Sequence, residues 1–418
     1  MATVSLVRHY SRYRAAGSLL GALAAAELGA RLLSPRQRAI EPAEVDLRDH
    51  FSPAEIRRGS AFARPQLAIG LARSVVDLAA LGLAARMLPG ALPRRLPRPV
   101  AAGALTGAGL AVAGTLPSLP LAVLSRRRAI AVGLVTQSWR GWAGDLAKST
   151  AIGSVLSAGA GAGAVAVARR YPSGWWLPAG AGSVVVGAAF AALAPVVLDP
   201  VFNDFEALPE GQTRSDVLEL ANAAGVRVRE VYSVDASRRT TAANAYVTGL
   251  GPTKRVVLFD TLLDRYNRDE VRVVVAHELA HVRHRDVQRG VLYAALVAPA
   301  VALAVQRVSW TLSPERGSPG ALPALGLAAA IVAAPVGLIG NRMSRAVERR
   351  ADQFSLELSE APQAFISFER AIALQNVADL EPPRWVSGLL STHPPTTERI
   401  GAAVAYQRSG SQPATVGA

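Results

Sequence analysis

The stretch His277-Glu278-Leu279-Ala280-His281 sets two of the chain's six histidines four residues apart, with a glutamate beside the first. On a helix, residues four apart share a face, so both imidazoles can ligate one metal ion. Glu278 projects about 100° round from His277, within reach of a water bound to that metal. The chemistry this spacing suits is hydrolysis by metal-activated water, with Glu278 as general base. The chain contains no cysteine. Any metal must therefore be held by nitrogen and oxygen ligands, and thiol chemistry is excluded.

The elements around the motif read as a membrane protein. The 418 residues are 50% hydrophobic and still carry a net charge of +14. Apolar runs of spanning length lie near 15–33, 66–89, 99–124, 151–168, 175–198, 290–309 and 321–340. The second contains Arg73 and Asp77, spaced to neutralise each other on one helix face. The first follows Arg8, Arg12 and Arg14, a pattern a cleavable signal peptide shares, but its apolar run continues past Glu27 without a processing boundary. All but Lys148 and Lys254 of the 45 basic side chains are arginine. They are scattered between spans with no basic, aromatic-interleaved stripe, which argues for juxtamembrane charge facing lipid and against nucleic-acid binding.

Five spans occupy 1–198. Residues 199–289 read as a soluble α/β segment: a helix over 213–224 ended by Gly225, strands over 229–235, 244–247 and 255–260, a turn at 249–252, then a helix over 271–289 carrying the motif. A transmembrane hairpin (290–340) follows, then a second polar part (341–405) and a small, polar tail (406–418) expected to be disordered.

A catalytic zinc has three protein ligands and an open position for water. His281 lies nine residues before the sixth span and Glu348 eight residues after the seventh. If both helices run unbroken, both residues sit about 12–14 Å from the same membrane boundary. That argument does not separate Glu348 from Glu357. Asp352 favours Glu348, because one turn along the same face it can accept the spare ring N–H of a liganding histidine.

The chain resembles the type I CAAX prenyl protease family of membrane zinc metallopeptidases, relatives of the HtpX-like proteases. The resemblance rests on Asn244-Ala245-Tyr246, the run from Arg255 to Leu263, the His-Glu-Leu-Ala-His core with His284-Arg285-Asp286, Ser344-Arg345 with Glu348 and Ala351-Asp352, and His393-Pro394-Pro395 with Arg399. It is strong over about 199–405 and weaker before. It implies a mainly α integral membrane fold: seven helices in a ring around a water-filled chamber, capped by a zincin-like α+β protease domain. It implies one zinc per chain on His277, His281 and Glu348, with Glu278 as base and Asp352 behind a histidine. By the same similarity, an edge strand at Asn244, Ala245 and Tyr246 pairs with the substrate backbone, His393 stabilises the oxyanion, and Arg399 supports that region.

The expected partners are the bilayer and a peptide or membrane-protein substrate. The expected location is a bacterial cell membrane with the protease domain cytoplasmic, on the arginines of loops 34–65 and 125–150. Two alternatives stand beside a prenyl protease: an HtpX-like quality-control protease, and a non-catalytic scaffold retaining a metal site. His284 reads as a separate histidine outside the ligand set.

Overall fold

A computed structural model of the chain describes residues 2–36, 40–91, 97–249 and 254–410. The apolar runs fold as helices α1 (Ala2–Leu33), α2 (Pro53–Ala91), α3 (Pro99–Thr115), α4 (Leu119–Ala131), α5 (Trp139–Arg170) and α6 (Trp176–Val197). Then come α7 (Asp199–Phe202), β1 (Phe205–Ala207), α8 (Gln212–Ala223), β2 (Glu230–Val234), β3 (Ala245–Thr248), β4 (Arg255–Phe259) and α9 (Asp260–Arg265). The motif helix is α10 (Arg268–Arg283), and α11 (Asp286–Leu312), α12 (Leu322–Ser359), α13 (Pro362–Gln375) and α14 (Thr396–Gly410) complete the fold.

Six helices are long and apolar enough to cross a membrane, or seven if the bent pair α3–α4 counts as one span. The run near 99–124 is therefore not one straight helix. It bends by 48° between α3 and α4, where Pro117 and Pro120 remove backbone donors from the helical ladder. α1 packs on α11, α11 on α6, α6 on α5, α5 on α3, α3 on α2, α2 on α12 and α12 on α1, which closes a ring. In the tightest of these contacts α3 meets α5 backbone to backbone. A Cβ on Gly107 would stand 2.1 Å from the Ser157 carbonyl oxygen, so only glycine permits the approach. α1 is an integral part of the ring, with Ala22, Ala26 and Ala30 buried. Arg73 and Asp77 do not form the expected pair: Arg73 Nε is enclosed without a hydrogen-bond partner, and Asp77 is exposed.

Outside the ring, the sheet has the order β1-β2-β4-β3, with β2 parallel to β4 and the other pairs antiparallel. The short strand β1 has no counterpart in the sequence reading. Val231, Val256 and Leu258 of the sheet pack with Val271, Val275 and Leu279 of α10 in one core. β3 is left as the outer edge. Gly225 ends the α8 segment at φ +68°, as its position predicts. The turn placed at 249–252 lies largely outside the described residues. The tail does not begin at 406, because α14 continues through Gly410 on an anchor of buried Ile400 and Ala403; 411–418 lie outside the described residues.

The helix expected over 271–289 is two helices. α10 stops at Arg283 and α11 starts at Asp286, with Arg285 between them in the left-handed region (φ 56°, ψ 46°). α12, by contrast, runs unbroken from the membrane to Ser359.

Candidate metalloprotease site

α10 is set firmly at its start. The Asn267 side chain accepts from the Asp269 and Glu270 amides, and Glu270 reaches back to the Asn267 amide at 3.0 Å, a reciprocal cap. Glu270 also accepts from the Ser367 hydroxyl at 2.6 Å, fixing α10 to α13. On the other flank, the Ser355 hydroxyl donates to the Val273 carbonyl at 2.7 Å, which locks α12 alongside.

This packing brings Glu348 of α12 to the histidine pair. His277 Nε2 lies 3.2 Å from His281 Nε2 and 3.3 Å from Glu348 Oε2, and His281 Nε2 lies 3.8 Å from Glu348 Oε1. Ligands ~2.1 Å from a tetrahedral metal stand roughly 3.4 Å from one another, so these three separations suit a shared ion. Glu278 also stays close, its ligand-type atom within 4.8 Å of those of both histidines. Glu357 is exposed elsewhere on α12.

The polar bookkeeping also calls for a cation. His277 Nδ1 sits 3.0 Å from Asp352 Oδ1, and His281 Nδ1 3.1 Å from Asp286 Oδ2. His277 Nδ1 makes no aligned hydrogen bond at that distance, but the tautomer that keeps both Nδ1 protons beside these carboxylates leaves the two Nε2 lone pairs facing each other, an arrangement that a cation between them would satisfy. Glu348 Oε2 is buried without a hydrogen-bond partner. The same demand shows in His277, where burial opposes charge but Asp352 and Glu348 outweigh it and lift the imidazole to about 10. Burial raises the Glu278 carboxyl above its ordinary value, which moves a base towards neutral working pH.

Behind the ligands lies a row of charges. Arg399 donates to both oxygens of Asp352, from Nε at 2.9 Å and Nη2 at 2.5 Å, and its Nη1 stands 2.6 Å from Glu369 Oε1. Its guanidinium is thus committed to two carboxylates rather than free over the cleft. Asp286 is held by Arg350. Asp286 and Glu369 escaped the sequence reading. His284-Arg285-Asp286 was read as part of the resemblance without a role, since the left-handed turn at Arg285 that returns Asp286 to His281 has no glycine to announce it. Glu369 sits in an ordinary amphipathic pattern on α13.

His393 reaches the site from the loop before α14, its Nε2 3.3 Å from Glu348 Oε2. Burial lowers its imidazole below the ordinary value. The preceding turn is clasped by α12: Arg345 donates to the Ser391 and Gly388 carbonyls at 2.6 and 2.5 Å, and Asn341 to Leu389 at 2.8 Å. A cleft of about 330 Å³ runs past these groups, bordered by Asn244, Ala245, Glu278 and His393. Tyr246 is turned differently, its hydroxyl donating to Asp199 at 3.2 Å. His284 caps α10 and packs on the Phe354 ring, 5.5 Å away, outside the cluster.

Residues 207–407 match the family model described as peptidase family M48. The protein named uncharacterized metalloprotease YhfN, of Bacillus subtilis (strain 168), is 31% identical over 300 residues, which cover 70% of each chain. The chain belongs to peptidase family M48. Among other members, the CAAX prenyl protease 1 homolog of Oryza sativa subsp. japonica is 31% identical over 225 residues, 50% of this peptidase and 51% of that protein. A protease HtpX homolog of Ralstonia nicotianae is 34% identical over 218 residues, 47% of this peptidase and 74% of that one. The crystal structure of S. mikatae Ste24p shares the fold, with a TM-score of 0.76 over 95% of this chain and 98% of that one, at 19% identity. This M48 peptidase is a membrane metalloendopeptidase, and its family implies a metal.

Proposed function

We propose that the peptidase is a zinc endopeptidase with His277, His281 and Glu348 as ligands and Glu278 as general base. The observation that carries this reading is the pair of facing Nε2 atoms beside the unpartnered Glu348 oxygen. A zinc ion there would acidify a bound water and polarise the scissile carbonyl. Glu278 takes the proton of the attacking water and delivers it to the leaving amine. His393 donates to the oxyanion as it forms. Asp352 and Asp286 hold the two imidazoles in one tautomer, and Arg399 holds Asp352. The backbone of Asn244, Ala245 and Tyr246, on the open side of β3, pairs with an extended substrate and selects backbone rather than sequence.

Glu278→Gln is expected to lower peptide hydrolysis by about 10²–10⁴-fold with one zinc retained per chain. His277→Ala is expected to lose both. Cleavage at the parental rate by purified Glu278→Gln protein would sink the assignment.

The relatives named as CAAX prenyl proteases point to a prenylated peptide, and those named HtpX to damaged membrane proteins. We favour the former because the probable CAAX prenyl protease 1 of Schizosaccharomyces pombe aligns over 62% of the chain and the HtpX homolog over 47%. Faster cleavage of a farnesylated C-a-a-X peptide than of its unmodified form is expected; equal rates would favour the quality-control reading.

We place the peptidase in a bacterial cell membrane with the catalytic side cytoplasmic, on the arginines of loops 34–65 and 125–150. The cysteine-free chain permits a clean test. Ser173→Cys should react with an impermeant maleimide on intact cells, and Ser409→Cys only after lysis. The reverse pattern would invert the molecule.

A further inference from the structure

A second cavity, of about 980 Å³, lies between α5, α6, the end of α11 and the start of α12, and none of the catalytic groups borders it. Val155, Leu156, Val186, Phe190 and Leu325 give it an apolar wall. It is not sealed. Val155, Val186 and Phe190 remain 73, 68 and 47% exposed although they stand on that wall, and α5 and α6 meet over only a short stretch. Its volume is at the upper end of the ~300–1,000 Å³ range of ligand sites. Water would find few polar partners inside, so an apolar occupant suits it better.

One rim of the cavity has the opposite character. Arg316 lies on it, its guanidinium 4.2 Å from the centre of the Trp310 ring, with that of Arg307 5.1 Å from the same ring. Arg169, in the last turn of α5, lies beside Gly317, while the neighbouring Arg170 stacks on the Tyr171 ring, 5.2 Å from its centre. Among the described residues, the carboxylate on this rim is that of Glu315 alone, and its Oε2 accepts from the Ser318 hydroxyl at 2.6 Å. Trp175 and Trp310, both bordering the cavity, are the side chains expected at headgroup depth. Exposed guanidinium groups above an apolar void match a phosphate joined to hydrocarbon.

We infer that this cavity holds an anionic phospholipid, its acyl chains between α5 and α6 and its phosphate against Arg316 and Arg169. The lipid fills one of the two narrowest seams of the ring, and its net charge meets the exposed Arg316 and Arg169. A zwitterionic lipid offers the same chains without that charge.

The test uses the full chain in detergent, with phosphatidylglycerol, phosphatidylcholine of identical chains, or inorganic phosphate alone. Native mass spectrometry and thermal unfolding read the result. Phosphatidylglycerol should be retained at least ten-fold better than phosphatidylcholine and should raise the unfolding temperature, and phosphate alone should do neither. The combined Arg169→Gln, Arg316→Gln variant should lose the preference. Arg86→Gln, Arg98→Gln, which removes the same charge near other helix ends, should keep it. Equal loss in both variants would show diffuse attraction and overturn the site, as would unselective retention by the parent or a matching response to phosphate. If the rim variant fails to fold, phosphatidylglycerol brominated on its chains should quench the parent's fluorescence, less so in Trp310→Phe. Identical quenching in the two would overturn the proposal.

Discussion

Glu369 shows how far behind the ligands the electrostatics of this site extend. It is 2% exposed, and burial pushes its carboxyl up to about 7 from the ordinary 4.5 despite Arg399. Between those values the folded chain binds more proton than the unfolded one. The stability linked to this group is therefore full below about pH 4.5 and is lost as pH rises through 7. Relative to Glu369→Gln, the parent should lose on the order of 3 kcal/mol of stability across that window. Denaturation of both proteins at several pH values measures the difference, and parallel curves would refute it. Residues of this kind are hard to read in a sequence. His277, Glu278 and His281 declare themselves because their spacing is the chemistry, and Glu348 follows from Asp352 one turn on. Asp286 and Glu369 act across turns and between helices, where spacing carries no signal.

At the scale of elements, the site depends on what α12 holds besides Glu348. Arg345 and Asn341 both donate to carbonyls of the turn that delivers His393. Arg345→Met keeps the length of the side chain and removes those donors. It is expected to lower kcat about ten- to hundred-fold, in line with the ~10²–10³ cost of losing one oxyanion donor, while metal content and KM stay near the parent's. A loss of metal instead would assign Arg345 to the ligand framework. Element boundaries were legible where local chemistry marked them, as at Gly225, whereas the Asn267 cap went unread and the motif helix starts at Arg268 rather than 271. The prolines that bend α3–α4 were in plain view, yet hydropathy alone fused the two helices into one span. The break at Arg285 was hidden, because a non-glycine residue adopts the left-handed conformation there. Depth counted along unbroken helices does not place Glu348, because the chain is broken between α10 and α11. Glu348 still reaches the histidines, since Ser355 and the Val273 carbonyl set the pairing of α10 and α12 directly.

At the scale of the whole molecule, hydropathy located the apolar segments, while the order in which the helices close the ring came only from their packing. The unbroken length of α12 has a mechanical consequence. Glu348 stands 26 residues beyond Leu322, about 39 Å along a single helix. The helix is a strut with one foot at the far surface of the bilayer and the carboxylate near its head. A thicker or thinner bilayer tilts such a strut at modest cost, and a tilt at its foot is magnified at Glu348. Turnover in vesicles of graded acyl length should therefore pass through an optimum, with metal affinity following it. A rate indifferent to thickness would mean that the soluble packing around Ser355 absorbs the motion. If the optimum is found, the same helix that anchors the enzyme also gauges the membrane it works in.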